Sequence, residues 1–338
     1  MTTATNTTTA GNKHNGQVPN PILGKSGYKI LQTTYDPPVW IVPDYIPVGL
    51  TILAARPKTG KSYLALQISQ AKAAGGIVLD KQVQQGRVLY LALEDNEIRL
   101  QERMRQQGWA QKAAKHTTFF TRDDFRQYIG PLHVDKGRAM LRLMIETEGY
   151  KLIVADTVSR AFIGLKDMND PQQVTAALDP LQSLALENNV GLVFVDHLAK
   201  PKGTSPNPSD DIMNSTAKTA TADTLLGMYR NFEDKTVRFC GEGKAILPFD
   251  ITLKFDPVSG CWQSQGDTSL HINNQAENEI IDALINLGAA SLSEVCKMIG
   301  KNKGNTSARL TNLANRGIVE KIKHPVSGQT IAYKYIGS

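Results

Sequence analysis

Between residues 49 and 195 the sequence repeats one pattern, in which a short, continuously apolar run is followed by an amphipathic stretch. Apolar runs of this kind are typical of strands buried on both faces, and stretches such as Ser62–Ala74 and Gln172–Glu187 have helical spacing. Strands that alternate with helices indicate a parallel sheet covered on both sides. The pattern therefore predicts an α/β fold around a mainly parallel, twisted sheet, with strands over Gly49–Ala54, Arg87–Leu93, Leu152–Ala155 and Gly191–Val195.

Shorter and more polar strands are predicted after this region, over Lys235–Cys240, Ile251–Phe255 and Cys261–Gln263. Their length and polarity suggest antiparallel strands at one edge of the sheet. With them, the large domain is predicted to span residues 28–265, and the polar residues 266–276 are predicted to form a linker.

Residues 277–338 have a different pattern, in which three predicted helices precede two predicted strands. The helices are Glu277–Leu287, Leu292–Ile299 and Thr306–Arg316, and the strands are Ile318–Lys323 and Thr330–Tyr335. Three helices followed by a β-hairpin predict a small C-terminal winged helix-turn-helix domain.

The length and composition of the chain favour a two-domain protein without a membrane-spanning segment. The chain of 338 residues is longer than one hydrophobic core usually organises, which fits one large and one small domain. Residues 1–27 are low in apolar residues and are predicted to be a disordered tail. Neither a membrane-spanning run nor a targeting peptide is recognisable, so we expect a cytoplasmic protein without a membrane partner. The net charge of +6 permits a polyanionic partner but does not require one.

The segment from Ala55 to Ser62 lies between an apolar strand and an amphipathic helix, which is the context of a phosphate-binding Walker A loop. Such a loop wraps phosphates with backbone N–H groups at a helix N-terminus. Lys61 is predicted to reach the β- and γ-phosphates, and the Ser62 hydroxyl to bind Mg²⁺. The alternative is an ordinary strand-to-helix turn. The predicted nucleotide-binding residues are Ala55, Arg56, Pro57, Lys58, Thr59, Gly60, Lys61 and Ser62.

Polar residues follow three other predicted strands, at the sheet edge where α/β proteins bind ligands. Asp156 ends one strand in the Walker B pattern, although an aspartate at this place can also cap a helix. Glu94 ends another and is a candidate general base, whereas Asp95 is predicted to cap the next helix. His197 follows a third strand, where it can sense the γ-phosphate or have a purely structural role.

Five blocks in this order resemble the RecA-like ATPases related to the plasmid RepA hexameric replicative helicases. The resemblance covers about residues 38–264, and the blocks are Pro47–Ala74, Val88–Met104, Leu152–Phe162, Val193–Lys200 and Ser215–Arg230. It implies a RecA-like P-loop core, ATP and Mg²⁺ as cofactors, and a homo-oligomeric ring that hydrolyses ATP between subunits around single-stranded DNA. The implied roles are Walker A for Lys61 and Ser62, catalytic base for Glu94, Walker B for Asp156 and sensor for His197.

Two positions depart from the family pattern. The first Walker glycine is Ala55, a small change that is expected to tolerate nucleotide binding. Where the family has an arginine finger, the best positional match is Lys244, with Arg238 and Arg230 as alternatives. A lysine contacts phosphate without the bidentate geometry of arginine, so slow or partner-dependent hydrolysis is expected.

The sequence points to DNA at two places. The channel loops of the family correspond to Ser159–Pro171 and Lys200–Thr216, but neither is strongly basic, so a solvated loop remains an equal alternative. The predicted winged helix is more basic, and its helix Thr306–Arg316 is the candidate reader of duplex DNA, although winged helices also bind proteins. The predicted DNA contacts are Lys303, Thr306, Arg309, Arg316, Lys321 and Lys323.

These features favour an ATP-hydrolysing motor on DNA, acting as a replicative helicase or replication initiator of a mobile element. One alternative is an ATP-gated switch or loader that assembles on DNA without unwinding it. Another is a regulator in which the ATPase core only dimerises the winged helix.

Overall fold

The structure is a computed structural model that describes residues 25–35, 37–199, 207–213, 215–231, 235–326, 328 and 330–336. The chain forms two compact units, residues 1–38 and residues 39–338. In the first unit, Gly27–Gln32 is a short helix, and the Ser26 hydroxyl accepts a hydrogen bond from the backbone N–H of Lys29 at its start. Residues 1–24 of the predicted tail lie outside the described residues.

Within the described residues, the strands in chain order are β1 (Trp40–Val42), β2 (Ile46–Pro47), β3 (Gly49–Ala55), β4 (Ile77–Val78), β5 (Lys81–Gln82), β6 (Arg87–Ala92), β7 (Thr117–Thr121), β8 (Tyr150–Asp156), β9 (Gly191–His197), β10 (Thr224–Arg230), β11 (Thr236–Gly243), β12 (Phe249–Asp256), β13 (Cys261–Asp267), β14 (Ala289–Ser291), β15 (Val319–Lys323) and β16 (Ile331–Tyr335). The helices are α1 (Gly27–Gln32), α2 (Lys61–Ala74), α3 (Glu97–Gln106), α4 (Gln111–Lys115), α5 (Arg122–Asp124), α6 (Asp135–Glu148), α7 (Val158–Ala161), α8 (Pro171–Glu187), α9 (Pro208–Asp211), α10 (Ser215–Thr221), α11 (Thr268–Leu287), α12 (Leu292–Ile299) and α13 (Lys303–Asn315), with a π-helical turn over Phe125–Ile129.

The central sheet contains nine strands within the described residues, in the order β13-β12-β11-β10-β3-β9-β8-β6-β7. Neighbouring strands from β10 to β7 are parallel, and β11, β12 and β13 continue the sheet in antiparallel orientation. This is the predicted α/β fold, a RecA-like P-loop core. The sequence analysis did not predict β7 and β10, because β7 is a half-buried edge strand rich in Thr and Gly227 interrupts the apolar run of β10.

Each parallel strand has apolar residues on both faces because both faces of the sheet are covered. In β8, Ile153 and Ala155 join one hydrophobic core, whereas Leu152 and Val154 join the core on the other face. Side chains alternate between the two faces of a strand, so burial on both sides requires a continuous apolar run. This packing explains why β3, β6, β8 and β9 were predictable.

The C-terminal part of the chain begins with a long helix where a linker was predicted. Residues 268–276 are the first half of α11, and the Asp267 carboxylate accepts hydrogen bonds from the backbone N–H groups of Ser269 and Leu270 at its start. The polar side chains of this half are mostly exposed, whereas Ala276 and Ile280 are buried. A few apolar residues at helical spacing are therefore enough to form a helix here, although the composition of the segment is polar.

The elements after α11 follow the predicted order, and one further strand joins them. β14 pairs with β16, which pairs with β15, so that a three-stranded antiparallel sheet packs with α11, α12 and α13 around Leu284, Val295 and Leu310. Among the helices of the described residues, none has both the length and the apolar character needed to cross a membrane.

Candidate functional site

The loop between β3 and α2 brings backbone N–H groups to the carboxyl edge of the parallel strands. Lys58 and Gly60 have positive φ angles of 64° and 102°, which turn the chain sharply before the helix begins at Lys61. The turn at Gly60 suits glycine because other residues rarely adopt this conformation. The first residues of α2 have no side-chain cap at Gly60, so their N–H groups can bind an anion.

Lys61 and His197 meet directly beside this loop. The buried Lys61 ammonium donates a hydrogen bond to Nδ1 of His197 across 3.4 Å, which leaves the ring proton on Nε2. Burial lowers the pKa of His197 below its ordinary value of 6.5, and the charge of Lys61 lowers it further. His197 is therefore neutral near pH 7 and lies directly beside the Lys61 ammonium.

Asp156 is almost fully buried at the end of β8, between two hydroxyl groups. Its Oδ2 accepts a hydrogen bond from the Tyr90 hydroxyl at 3.2 Å, and the hydroxyl of Ser62 at the start of α2 lies near enough to influence the carboxyl pKa. Burial raises the pKa of Asp156, while Ser62 and Lys61 oppose that shift. Its Oδ1 is buried without a hydrogen-bond partner among the described residues.

The orphaned Oδ1 of Asp156 and the neighbouring Ser62 hydroxyl fit a hard divalent cation. Carboxylate and hydroxyl oxygens are the ligands that Mg²⁺ accepts when it also contacts phosphate oxygens. A buried polar atom without a partner costs free energy unless a ligand satisfies it. Ser62 and Asp156 are thus the residues that would hold Mg²⁺ here.

Glu94 lies in the turn that follows β6, at the same edge of the sheet. Its Oε1 accepts a hydrogen bond from the Thr157 hydroxyl at 3.1 Å, and the Arg160 Nε lies 3.8 Å from the same oxygen. The carboxylate is 41 % exposed, so water can reach it. A cavity of about 530 Å³ opens beside it, lined by residues 94–99 and 121–123.

Asp95 does not cap the following helix, and that prediction is wrong. Asn96 is the cap, and its side chain accepts a hydrogen bond from the backbone N–H of Arg99. Asp95 instead forms an ion pair with Arg103 in the last turn of α3. The chain continues for one more residue before the helix starts, which moves the cap from Asp95 to Asn96.

The three candidates for the finger residue lie at different places. Lys244 follows β11 at the amino edge of the parallel strands, because Gly243 pairs with Thr224 at the start of β10. It is thus at the opposite edge from Lys61 and forms an ion pair with Asp223 at 3.1 Å. A role for Lys244 at a phosphate would require the site of another subunit.

The two arginine candidates lie nearer the carboxyl edge of the sheet. Arg238 on β11 forms an ion pair with Asp250 on β12, and this partner raises its pKa. Arg230 is exposed at the end of β10 and lines a cavity of about 430 Å³ together with the loop residues 56–59.

The predicted DNA contacts separate into two groups. Lys303, Lys321 and Lys323 are exposed, as a contact with phosphate requires. Thr306 is buried and its hydroxyl donates to the Asn302 carbonyl, so the prediction that its side chain contacts DNA is wrong. Thr306 shares the buried stripe of α13 with Leu310 and Leu313.

Arg309 and Arg316 are engaged with helix α11. Arg309 donates a hydrogen bond to Asn273 at 3.4 Å, and Arg316 forms an ion pair with Glu277 at 2.7 Å. Arg309 lies beside the buried stripe of α13, whereas Arg316 directly follows the last residue of that helix. In the second predicted channel loop, residues 200–206 and 214 lie outside the described residues.

Two features of the site were missed by the sequence analysis. The side chain of Trp262, from β13, covers Gly60 and donates a hydrogen bond to its carbonyl at 3.1 Å. Asp196 at the end of β9 forms a buried ion pair with Lys218 on α10. The strand-end position of Asp196 was a usable signal, but nothing near Trp262 in the sequence connects it with Gly60.

The pH dependence of His197 gives a testable prediction. As the pH falls below the ordinary histidine value of 6.5, protonation places a second positive charge against Lys61 and removes the acceptor at Nδ1. We expect nucleotide-dependent activity to fall on this acidic limb, and we expect His197→Gln to flatten it because glutamine keeps a neutral acceptor at every pH. The measurement is the pH profile of kcat/KM.

His133 provides the matched control for that experiment, because burial also lowers its pKa. It packs against Phe162 and is not among the contacts of Lys61. His133→Gln should keep the wild-type acidic limb. An unchanged limb in His197→Gln would contradict the assignment.

The comparison with known proteins adds a family match. A family model described as an AAA domain matches residues 29–203. The matched range contains the loop at Gly60, Glu94, Asp156 and His197. A search of curated proteins found no match to the chain.

Proposed function

The chain belongs to the AAA domain family and is a P-loop ATPase, and from this premise we propose that it is a DNA-associated motor of the plasmid RepA helicase type. It would act as a replicative helicase or replication initiator of a mobile element. The observation that carries the proposal is the convergence of Lys61, Asp156, Glu94 and His197 at one edge of the sheet. Such a set can bind a triphosphate and activate water against it.

In this proposal each residue has one task. The N–H groups at the start of α2 and the Lys61 ammonium bind the phosphates, and Ser62 and Asp156 hold Mg²⁺. Mg²⁺, when bound, neutralises charge on the phosphate oxygens. Glu94 orients a water molecule and accepts its proton, while Thr157 holds the carboxylate in place.

The C-terminal elements support a contact with duplex DNA. The order α11-β14-α12-α13-β15-β16 matches a winged helix, in which the third helix enters the major groove and the hairpin forms the wing. The exposed Lys321 and Lys323 lie on β15, where a wing contacts phosphate groups. Single-stranded DNA would pass through a ring, hexameric as in the family, with a residue of the neighbouring subunit completing each ATP site.

The decisive experiment compares ATP hydrolysis without DNA, with single-stranded DNA and with duplex DNA, and then measures strand displacement on a forked duplex. The motor proposal expects strong stimulation by single strands and displacement that depends on ATP. The proposal would be contradicted if single-stranded DNA left the rate of ATP hydrolysis unchanged and no strand were displaced. Light scattering after size-exclusion chromatography with ATP tests the ring.

A non-unwinding switch or loader is the second candidate, and the finger residues favour it. Lys244 and Arg238 each form an ion pair with an aspartate of their own chain. Either residue would have to break this ion pair before it could contact the phosphates bound by a neighbouring subunit. The switch would bind DNA in an ATP-dependent manner without displacing a strand. The strand-displacement assay therefore separates the two candidates.

Removal of the two wing lysines is predicted to weaken duplex binding in a salt-dependent way. For Lys321→Ala combined with Lys323→Ala, we expect the slope of log K against log salt to fall by about 2, about one unit for each lost phosphate contact. The measurement is a fluorescence-anisotropy titration of duplex DNA over a range of salt concentrations. Lys112→Ala combined with Lys115→Ala is the control, because it removes two exposed lysines of α4, and it should leave the slope unchanged.

A further inference from the structure

Trp262 lies far from the phosphate loop in the sequence, yet its side chain covers the last residue of that loop. The indole Nε1 donates a hydrogen bond to the Gly60 carbonyl at 3.1 Å. The ring is so close that a Cβ atom at Gly60 would lie 2.7 Å from its Cζ2 atom. Only 4 % of Trp262 is exposed. The residue therefore both bonds to the Gly60 turn and fills the space beside it.

The backbone of Trp262 is held by the helix that the phosphate loop begins. Gln67 on α2 accepts a hydrogen bond from the backbone N–H of Trp262 at 2.8 Å and donates one to its carbonyl at 3.0 Å. The indole thus holds Gly60 while α2 holds the backbone that carries the indole. This closed arrangement fixes the angle between the loop and the first turn of α2.

A row of aromatic rings continues from Trp262 toward the turn that bears Glu94. The ring of Trp262 packs on Phe255, with centroids 5.0 Å apart, and Phe255 packs edge-on against Tyr63 at 5.3 Å. The guanidinium of Arg103 lies 4.9 Å from the centre of the Tyr63 ring, and the same arginine forms an ion pair with Asp95, the residue after Glu94. One packed row therefore supports both ends of the candidate site.

We propose that Trp262 is a positioning residue of the nucleotide site. By fixing Gly60, it keeps the N–H groups at the start of α2 directed at the phosphates, which prepays part of the ordering cost of binding. Through Phe255, Tyr63 and Arg103 it supports the Asp95 side of the Glu94 turn. This role concerns the nucleotide site alone, so it holds whether or not the protein unwinds DNA.

The test separates the hydrogen bond of Trp262 from its bulk. Trp262→Phe keeps an aromatic ring against Phe255 but removes the N–H donor to Gly60, and Gln67→Ala removes both bonds to the Trp262 backbone. We expect each to weaken binding of Mg²⁺-ADP by about 5- to 10-fold, because each loosens the Gly60 turn by an amount of the order of one net hydrogen bond. Isothermal titration calorimetry measures the affinity, and thermal unfolding of the ligand-free chain checks that the fold is retained.

The matched control is Trp40→Phe, a change of the same kind on β1, and it should leave the affinity unchanged. Arg103→Gln, at the other end of the row, should lower kcat more than it changes the affinity for Mg²⁺-ADP, because it acts on the turn that bears Glu94. A purely structural residue would not divide its effects between the two quantities in this way.

A fluorescence measurement gives a second, independent readout. In a chain with Trp40→Phe and Trp109→Phe, Trp262 is the remaining tryptophan, and saturation with Mg²⁺-ADP should shift its emission because the indole touches the loop that binds the phosphates. Wild-type affinity in both Trp262→Phe and Gln67→Ala would overturn the proposal. The proposal would also be overturned if Trp262→Phe and Gln67→Ala lowered the affinity for Mg²⁺-ADP no more than Trp40→Phe does.

Discussion

Glu94→Gln is expected to reduce kcat for ATP hydrolysis by about 10²- to 10⁴-fold, the usual contribution of a general base. Glutamine has nearly the same shape and can still accept the hydrogen bond from Thr157, so the turn after β6 should keep its conformation. It cannot accept a proton from water. Because Glu94 does not contact the loop at Gly60, the affinity for ATP should remain unchanged. The measurements are steady-state hydrolysis and the affinity for a fluorescent ATP analogue.

Glu97→Gln is the control for this experiment. Glu97 is exposed at the start of α3, three residues after Glu94, and the same loss of charge there should leave kcat unchanged. A Glu94→Gln variant that hydrolyses ATP at the wild-type rate would remove Glu94 from the mechanism. A variant that loses ATP affinity in proportion to kcat would show that Glu94 supports binding instead.

Asp156→Asn is expected to lower kcat by about 100-fold or more while leaving the ligand-free fold at least as stable, because we propose that the carboxylate serves as a ligand for Mg²⁺ rather than as a structural group. Burial raises the pKa of Asp156, so the ionised side chain reduces stability as the pH rises through that pKa. Its Oδ1 also lacks a partner among the described residues. Asparagine removes the buried charge, and we expect the free energy of unfolding to stay equal or rise by about 1 kcal/mol.

Asp196→Asn is the matched comparison, since Asp196 is also buried at the end of the neighbouring strand. It forms an ion pair with Lys218 at 2.5 Å, and the same substitution would leave that ammonium buried without its counter-charge. Removing one partner of a buried pair typically costs about 3–5 kcal/mol. In urea unfolding of the ligand-free variants, the free energy of unfolding should therefore stay equal or rise for Asp156→Asn and fall for Asp196→Asn.

Equal destabilisation of the two variants would contradict this account, since it would make Asp156 a structural carboxylate. For Asp156→Asn, we also expect the dependence of hydrolysis on Mg²⁺ concentration to shift to higher values. A wild-type Mg²⁺ dependence would assign the metal to other groups. The two aspartates thus differ in their partners, since Asp196 has a buried counter-charge in Lys218 whereas Asp156 accepts a hydrogen bond from the neutral Tyr90 hydroxyl.

The core of the site was predictable because its signals are local. A glycine and a lysine between an apolar strand and an amphipathic helix specify the loop, and strands of a parallel sheet end at one common edge. Glu94, Asp156 and His197 each follow such a strand, so the sequence alone indicated that they would come together. The structure brings them to this edge.

Other local signals were misread for identifiable reasons. The stretch before residue 276 is polar, but a cap at Asp267 and a sparse apolar stripe are enough to form α11. Arg309 and Arg316 were predicted to contact DNA, and the sequence did not reveal that both also bond to residues of α11. Composition identifies charge, whereas packing decides whether that charge is available.

The sequence by itself determined the class of the fold, the phosphate loop and the acidic residues beside it, since each depends on a few neighbouring positions. Only the tertiary structure decided that Trp262 lies on Gly60 and that Arg103 forms an ion pair with Asp95. It also placed Lys244 at the edge of the sheet opposite Lys61. These contacts join segments that are distant in the chain or strands whose direction local periodicity does not reveal. Sheet order and strand direction arise from packing of the whole core, and they fix which distant side chains meet at the site.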